Sequence, residues 1–138
     1  MKHYILDANA VLRYLMGSAS EGGEKVRSLV FDTEQGTTRL SMSVVNLGEV
    51  LYTLMRSIDE ARALQMIRNV QQVVVIAEVD VERTVQASIL KYHYRLGYAD
   101  SFAAALAIEY NATLVSADPS FEKLERKIKW MKLPRFRG

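Results

Sequence analysis

Four acids stand where an acid needs a reason: Asp7, Glu49, Asp100 and Asp118. Asp7 ends the apolar run Tyr4-Ile5-Leu6, which reads as a short buried strand. In open α/β sheets the carboxyl ends of the strands are where ligands bind. Asp118 repeats the arrangement, with the strand-like Thr113-Leu114-Val115-Ser116, one small residue and then the acid. Parallel strands deliver two such acids to the same edge. On a helical wheel Asp100 lines up with Ala103, Ala104 and Ala107, a stripe of small side chains suited to close packing, where an unpaired charge is costly. Glu49 falls in the second turn of a helix that follows a strand directly, so it can look back toward that edge.

Each acid also has an ordinary explanation. Asp7 can cap a turn or helix, Asp118-Pro119 can open a turn, and Asp100 can serve a helix dipole. Glu49 shares its wheel position with Thr53 and Arg56, where a surface glutamate belongs. As a group they argue for more. Two unit charges about 4 Å apart, at an effective dielectric of about 20, repel by roughly 4 kcal/mol. A metal-free cluster should therefore hold a proton, with at least one pKa raised. A hard, oxygen-seeking cation such as Mg²⁺ or Mn²⁺ removes that penalty.

Other chemistries are excluded or disfavoured. The chain has no cysteine, so disulfides, thiolate metal sites and cysteine nucleophiles are out, and two histidines, His3 and His93, are too few for a histidine-built zinc site. There is no P-loop, no glycine-rich dinucleotide fingerprint and no twelve-residue EF-hand loop. Charge is unevenly placed: from residue 121 onward seven Lys or Arg face two Glu, whereas residues 1–120 carry eleven basic and fourteen acidic side chains. An acidic body with a basic tail suits cation binding at the centre and polyanion binding at the rim, and equally a solvated C-terminus on an ordinary domain. No apolar run spans a membrane and no leader is recognisable, so a cytoplasmic protein without a membrane partner is expected.

The elements that must position the acids follow from periodicity. The 138 residues fit one domain, with 49% hydrophobic side chains to fill a core. Residues 2–6 predict a strand, with Asn9 as N-cap of the helix carrying Val11, Leu12 and Leu15. Residues 17–20 predict a turn and 21–34 a helix with Gly36 after its end. A strand at 38–41 leads to a helix capped by Ser43 and reaching Ser57, then Asp59 caps a second helix to about Asn69. Val73-Val74-Val75-Ile76 predicts a strand covered on both faces. Asp80 opens a helix closed by Gly97, and a small-residue helix runs from Tyr98 to Tyr110 with Asn111 as C-cap. Strands at 113–116 and 128–132 flank a short helix after Asp118-Pro119. Strands alternating with helices predict an α/β fold with a parallel sheet covered by helices.

With these pieces in order, the chain resembles a PIN-domain ribonuclease of the kind that serves as the VapC-type toxin of toxin–antitoxin pairs. The resemblance is carried by Ile5-Leu6-Asp7-Ala8-Asn9, Asn46-Leu47-Gly48-Glu49-Val50, Gly97-Tyr98-Ala99-Asp100-Ser101-Phe102-Ala103-Ala104-Ala105 and Leu114-Val115-Ser116-Ala117-Asp118-Pro119-Ser120-Phe121. It spans essentially the whole chain, although residues 58–95 match only in helical character. It implies a PIN-like three-layer fold with a short central parallel sheet flanked by helices. It also places the family's acidic site on Asp7, Glu49, Asp100 and Asp118, with Asn9 and Ser101 as supporting polar residues.

The implied activity is Mg²⁺- or Mn²⁺-dependent hydrolysis of RNA phosphodiester bonds, with Asp7, Asp100 and Asp118 as metal ligands and 5′-phosphate and 3′-OH ends as products. Lys123, Lys127 and the other tail cations are candidate phosphate contacts, while Arg13 either contacts substrate or pairs with a site carboxylate. RNA, a cognate antitoxin protein and a second copy in a homodimer are the implied partners. Leu51, Leu54, Met55 and Ile58, with Leu64 and Ile67, either form a groove for a partner segment or pack against each other. Two other functions compete: a non-catalytic metal-binding PIN-like or receiver-like domain, and a metal-dependent phosphatase acting on small phosphate esters. A receiver would need acids paired at its first loop and a late-strand lysine, which the long gap to Asp100 fits poorly.

Overall fold

The computed structural model describes residues 1–17 and 21–134. Five strands, β1 (Lys2–Leu6), β2 (Thr38–Ser43), β3 (Val74–Ala77), β4 (Thr113–Ser116) and β5 (Lys129–Lys132), form one parallel sheet in the order β3-β2-β1-β4-β5. Six helices connect them: α1 (Ala8–Met16), α2 (Glu21–Glu34), α3 (Val44–Ser57), α4 (Glu60–Gln71), α5 (Val81–Tyr94) and α6 (Tyr98–Glu109). A 3₁₀ turn, Pro119–Leu124, precedes β5.

Alternation along the strands builds two cores, one on each face of the sheet. Tyr4, Leu6, Leu40, Met42 and Val115 face α1, α2, α3 and α4, meeting Val11, Val26, Val50, Leu54 and Ile67. Ile5 and Leu114 face the other way, onto Leu90, Ala103, Ala107, Phe121 and Leu124. The result is the three-layer α/β arrangement implied by the sequence. Phe121 is wholly buried, and such a side chain contributes roughly 2 to 3 kcal/mol of hydrophobic stabilisation.

The order of strands decides where a site can lie. From β1 the chain builds outward through β2 and β3, then returns to the other side of β1 for β4 and β5. The direction of winding reverses between β1 and β4, leaving a crevice beyond their carboxyl ends. Leu6 pairs with Val115 there, so Asp7 and Ser116 leave the sheet side by side.

Several local expectations are corrected. Asp7, not Asn9, caps α1, its carboxylate accepting from the Ala10 N–H at 2.8 Å. Val75 is 59% exposed, because β3 is an edge strand whose outer face is not covered. Arg95, at φ 54°, ends α5 in the left-handed region, and Gly97 instead heads α6. Tyr110 is the C-cap of α6 and Asn111 follows it at φ 51°. Gly36 does close α2, at a φ of 82° that favours glycine. Leu54 and Ile67 are buried where α3 and α4 join the same core, which favours mutual packing over an open groove between them. The predicted turn at 17–20 falls largely outside the described residues, as do Arg135 and Arg137.

Candidate active site

Asp7, Glu49, Asp100 and Asp118 line one open cleft of about 470 Å³ at the winding reversal, together with Ala8, Asn9, Arg13, Ala117 and Pro119. Four different elements supply the acids. Asp7 is the residue between β1 and α1, Asp118 follows β4 by two residues, Glu49 lies on α3, and Asp100 occupies the first turn of α6.

Asp7 is the deepest, only 2% exposed. Its Oδ1 accepts from Ala10 N–H and its Oδ2 from the Ser116 hydroxyl. Burial lifts its carboxyl to about 6; those two hydrogen bonds pull against the rise, while the charges of Asp118 and Glu49 add to it. Asp100 is lifted further, to about 7, first by burial and then by Asp118, Asp7 and Glu49. Asp118 goes the other way. Burial opposes its ionisation, but the Ser120 N–H, the neighbouring Asp100 carboxyl and the charge of Lys123 together hold it below the ordinary carboxylate value. The Ser120 N–H donates to Asp118 Oδ1 at 2.9 Å.

Backbone geometry makes room for this arrangement. A Cβ on Gly97 would lie 2.9 Å from Asp100 Oδ2. The Ser116 hydroxyl serves both strand-end acids: it donates to Asp7 and accepts from the Asp118 N–H at 3.0 Å.

The other predicted site residues are distributed unevenly. Asn9, exposed in the first turn of α1, stands on the cleft wall. Arg13 also lines the cleft, but it is 6% exposed and its guanidinium donates to the Pro134 carbonyl. Ser101 is fully buried, and its hydroxyl turns back to the Gly97 carbonyl at 2.9 Å. Lys123 donates to the Tyr94 carbonyl at 3.1 Å and stands close enough to Asp118 to favour its charge. Lys127 lies elsewhere, on the wall of a separate cavity of about 620 Å³ that includes Arg83, Leu90 and Phe102.

Two contributors were given no role by sequence reasoning. Ser116 needed the β1–β4 register to be seen beside Asp7. Asn46 donates from Nδ2 to Glu49 Oε1 at 3.2 Å, an i,i+3 relation that the helix spacing alone would have revealed.

The donor set suits a hard cation: four carboxylates, no sulfur, and two acids whose pKa is raised by burial first and by neighbouring like charges second. As the side chains stand, no group of three His, Asp or Glu among the described residues is disposed to hold a metal ion. Fit therefore rests on the chemistry of the donors and on water completing the coordination, which Mg²⁺ ordinarily retains.

No curated protein matches the chain in sequence. Among solved structures, VapBC2 from Rickettsia felis bound to a promoter DNA fragment superposes with a TM-score of 0.76 at 17% identity, over 96% of this chain and 99% of that one. VapBC-1 from nontypeable Haemophilus influenzae gives 0.70 at 17% identity, over 94% of this chain and 97% of that one. VapC20 from Mycobacterium tuberculosis, described as a sarcin-ricin loop cleaving toxin, gives 0.61 at 16% identity, over 80% of this chain and 86% of that one. At these identities the likeness is one of fold. Residues 4–127 match the PIN domain, which covers most of the sequence, and the chain belongs to the PIN-domain family.

Proposed function

We propose that this protein is a divalent-cation-dependent endoribonuclease and the toxin of a toxin–antitoxin pair. The observation that carries the reading is the convergence of Asp7, Glu49, Asp100 and Asp118 on one open cleft of a PIN domain. The relatives described as VapBC complexes and as a sarcin-ricin loop cleaving toxin support RNA as substrate and a cognate antitoxin as partner. A homodimer remains part of the proposal.

Asp7, Asp100 and Asp118 would hold the cation. When bound, Mg²⁺ or Mn²⁺ activates water and neutralises charge developing on the phosphoryl oxygens. Asp7 is fixed by Ala10 and Ser116, so it contributes a preorganised oxygen rather than a mobile one. Asp118, held ionised, and Glu49 are the groups available to take the proton of the attacking water. Lys123, beside Asp118, favours the approach of a phosphate to an otherwise acidic cleft. Hydrolysis by water leaves 5′-phosphate and 3′-OH ends and does not require the 2′-OH as nucleophile.

The test is cleavage of total RNA and tRNA with Mg²⁺ or Mn²⁺ against EDTA, using wild type and folded Asp100→Asn protein. Cleavage that needs the cation and is lost in the variant is expected. Cleavage indifferent to both changes would overturn the reading, and hydrolysis of small phosphate esters with RNA left intact would make the protein a phosphatase.

A further inference from the structure

We propose that Asn46 is a positioning residue that aims Glu49 into the cleft from an anchor on the opposite helix. The side chain is fully buried where α3 packs on α6. One Nδ2 hydrogen goes to the Ala99 carbonyl at 3.2 Å and the other to Glu49 Oε1 at 3.2 Å. Both neighbours are acceptors, so the amide can face them only with its nitrogen. Its orientation is thereby fixed, and Oδ1 is left buried with no hydrogen-bond partner among the described residues.

That orphan is what makes the residue informative. A buried carbonyl without a partner is destabilising, and an apolar side chain of similar size would avoid it. Packing therefore does not account for an asparagine here. What asparagine supplies, and an apolar residue cannot, is a pair of rigidly spaced N–H donors. Ala99 immediately precedes Asp100, and Asp100 and Glu49 both line the acidic cleft, so the anchor belongs to the element that carries a second site acid. Glu49 is on a helix and carries a flexible side chain. Without the Asn46 bond its carboxylate is free to rotate toward solvent.

This inference rests on the nuclease reading, and the test separates the two. Wild type, Asn46→Ala, Glu49→Gln and the double variant are compared for Mn²⁺ affinity by calorimetry, for kcat and KM of RNA cleavage, and for melting temperature. Asn46→Leu, which fills the space without a donor, serves as a second variant if Asn46→Ala folds poorly. Replacing an outer-shell partner of this kind lowers metal affinity or activity by roughly 10- to 100-fold. The expected loss lies in kcat or Mn²⁺ affinity with KM little changed, and the melting temperature is maintained or raised. In the Glu49→Gln background the same Asn46 substitution has almost no further effect, because the carboxylate that Asn46 aims is gone. Equal fold losses in both backgrounds, or full activity of Asn46→Ala, would overturn the inference while leaving the nuclease intact. Wild-type protein that neither binds Mn²⁺ nor cuts RNA would overturn both.

Discussion

The Ser116 hydroxyl donates to Asp7 Oδ2 across the junction of β1 and β4, tying together the two strand ends that frame the cleft. This bond is among the forces that limit the rise of the Asp7 pKa. Ser116→Ala should therefore move the Asp7 carboxyl above its present value of about 6. The acid limb of the cleavage profile should move to higher pH, and the protein should lose roughly 1 kcal/mol of stability. Ser116→Thr keeps the hydroxyl and should restore both. A profile unchanged in Ser116→Ala would mean that Asp7 is not tuned through this contact.

Stability of the metal-free protein should fall as pH rises. Asp7 and Asp100 titrate near 6 and 7 in the folded chain, against 3.8 for an ordinary aspartate, so the folded state holds protons that the unfolded state has released. Their contribution is complete below about pH 4 and is lost as pH climbs through 6 and 7. Asp118, with its pKa depressed, acts oppositely and only at low pH, where its stabilisation is lost as pH falls. Asp7→Asn keeps the helix cap, since asparagine caps as well as aspartate. At pH 8 in EDTA it and Asp100→Asn should each raise stability, by on the order of 1 to 2 kcal/mol after allowance for solvent screening. Denaturation curves between pH 4 and 8 check this; variants that follow the wild-type curve would contradict it.

Gly97 is required for space rather than for an unusual backbone. Its φ of −58° and ψ of 152° are open to alanine, yet a Cβ there would stand 2.9 Å from Asp100 Oδ2. Gly97→Ala should leave stability within about 1 kcal/mol of wild type. Displacing the Asp100 carboxylate should cost activity by about tenfold or more, as small misplacements at reacting centres do. Normal melting with normal kcat would show that Asp100 tolerates movement.

The two lysines chosen from the basic C-terminal stretch should behave differently. Lys123 stands beside Asp118, whereas Lys127 lines the separate cavity with Arg83 and Phe102. Lys123→Ala should raise KM several-fold and weaken the salt dependence of RNA binding, and Lys127→Ala should change either far less. Equal effects would place the RNA across both faces.

The sequence made the strands and most helix starts legible because each rests on local chemistry. Asp59, Asp80 and Ser43 cap their helices as expected, and the apolar alternation at 4–6 and 113–116 sends side chains to two different cores. What it could not supply was register. Val73 to Ile76 reads as a buried strand by composition, but only the sheet order reveals that β3 is an edge and that Val75 is exposed. Asp7 and Asp118 were legible as strand-end acids for the same local reason. The Ser116 bond to Asp7 and the Asn46 bond to the Ala99 carbonyl cross 109 and 53 residues of chain, which no local periodicity encodes. Lys127 was grouped with Lys123 by charge alone, and the turn between them sends the two side chains to different surfaces.

Asp7, Asp100 and Asp118 can act in hydrolysis as described only if they accept a hard cation in the cleft. A crystal soaked in Mn²⁺ and measured at the manganese absorption edge answers this directly. The expected result is an anomalous peak within ligating distance of the Asp7 or Asp100 carboxylate, absent from Asp7→Asn/Asp100→Asn crystals. A peak elsewhere on the surface, or none at saturating Mn²⁺, would contradict cation binding by these carboxylates.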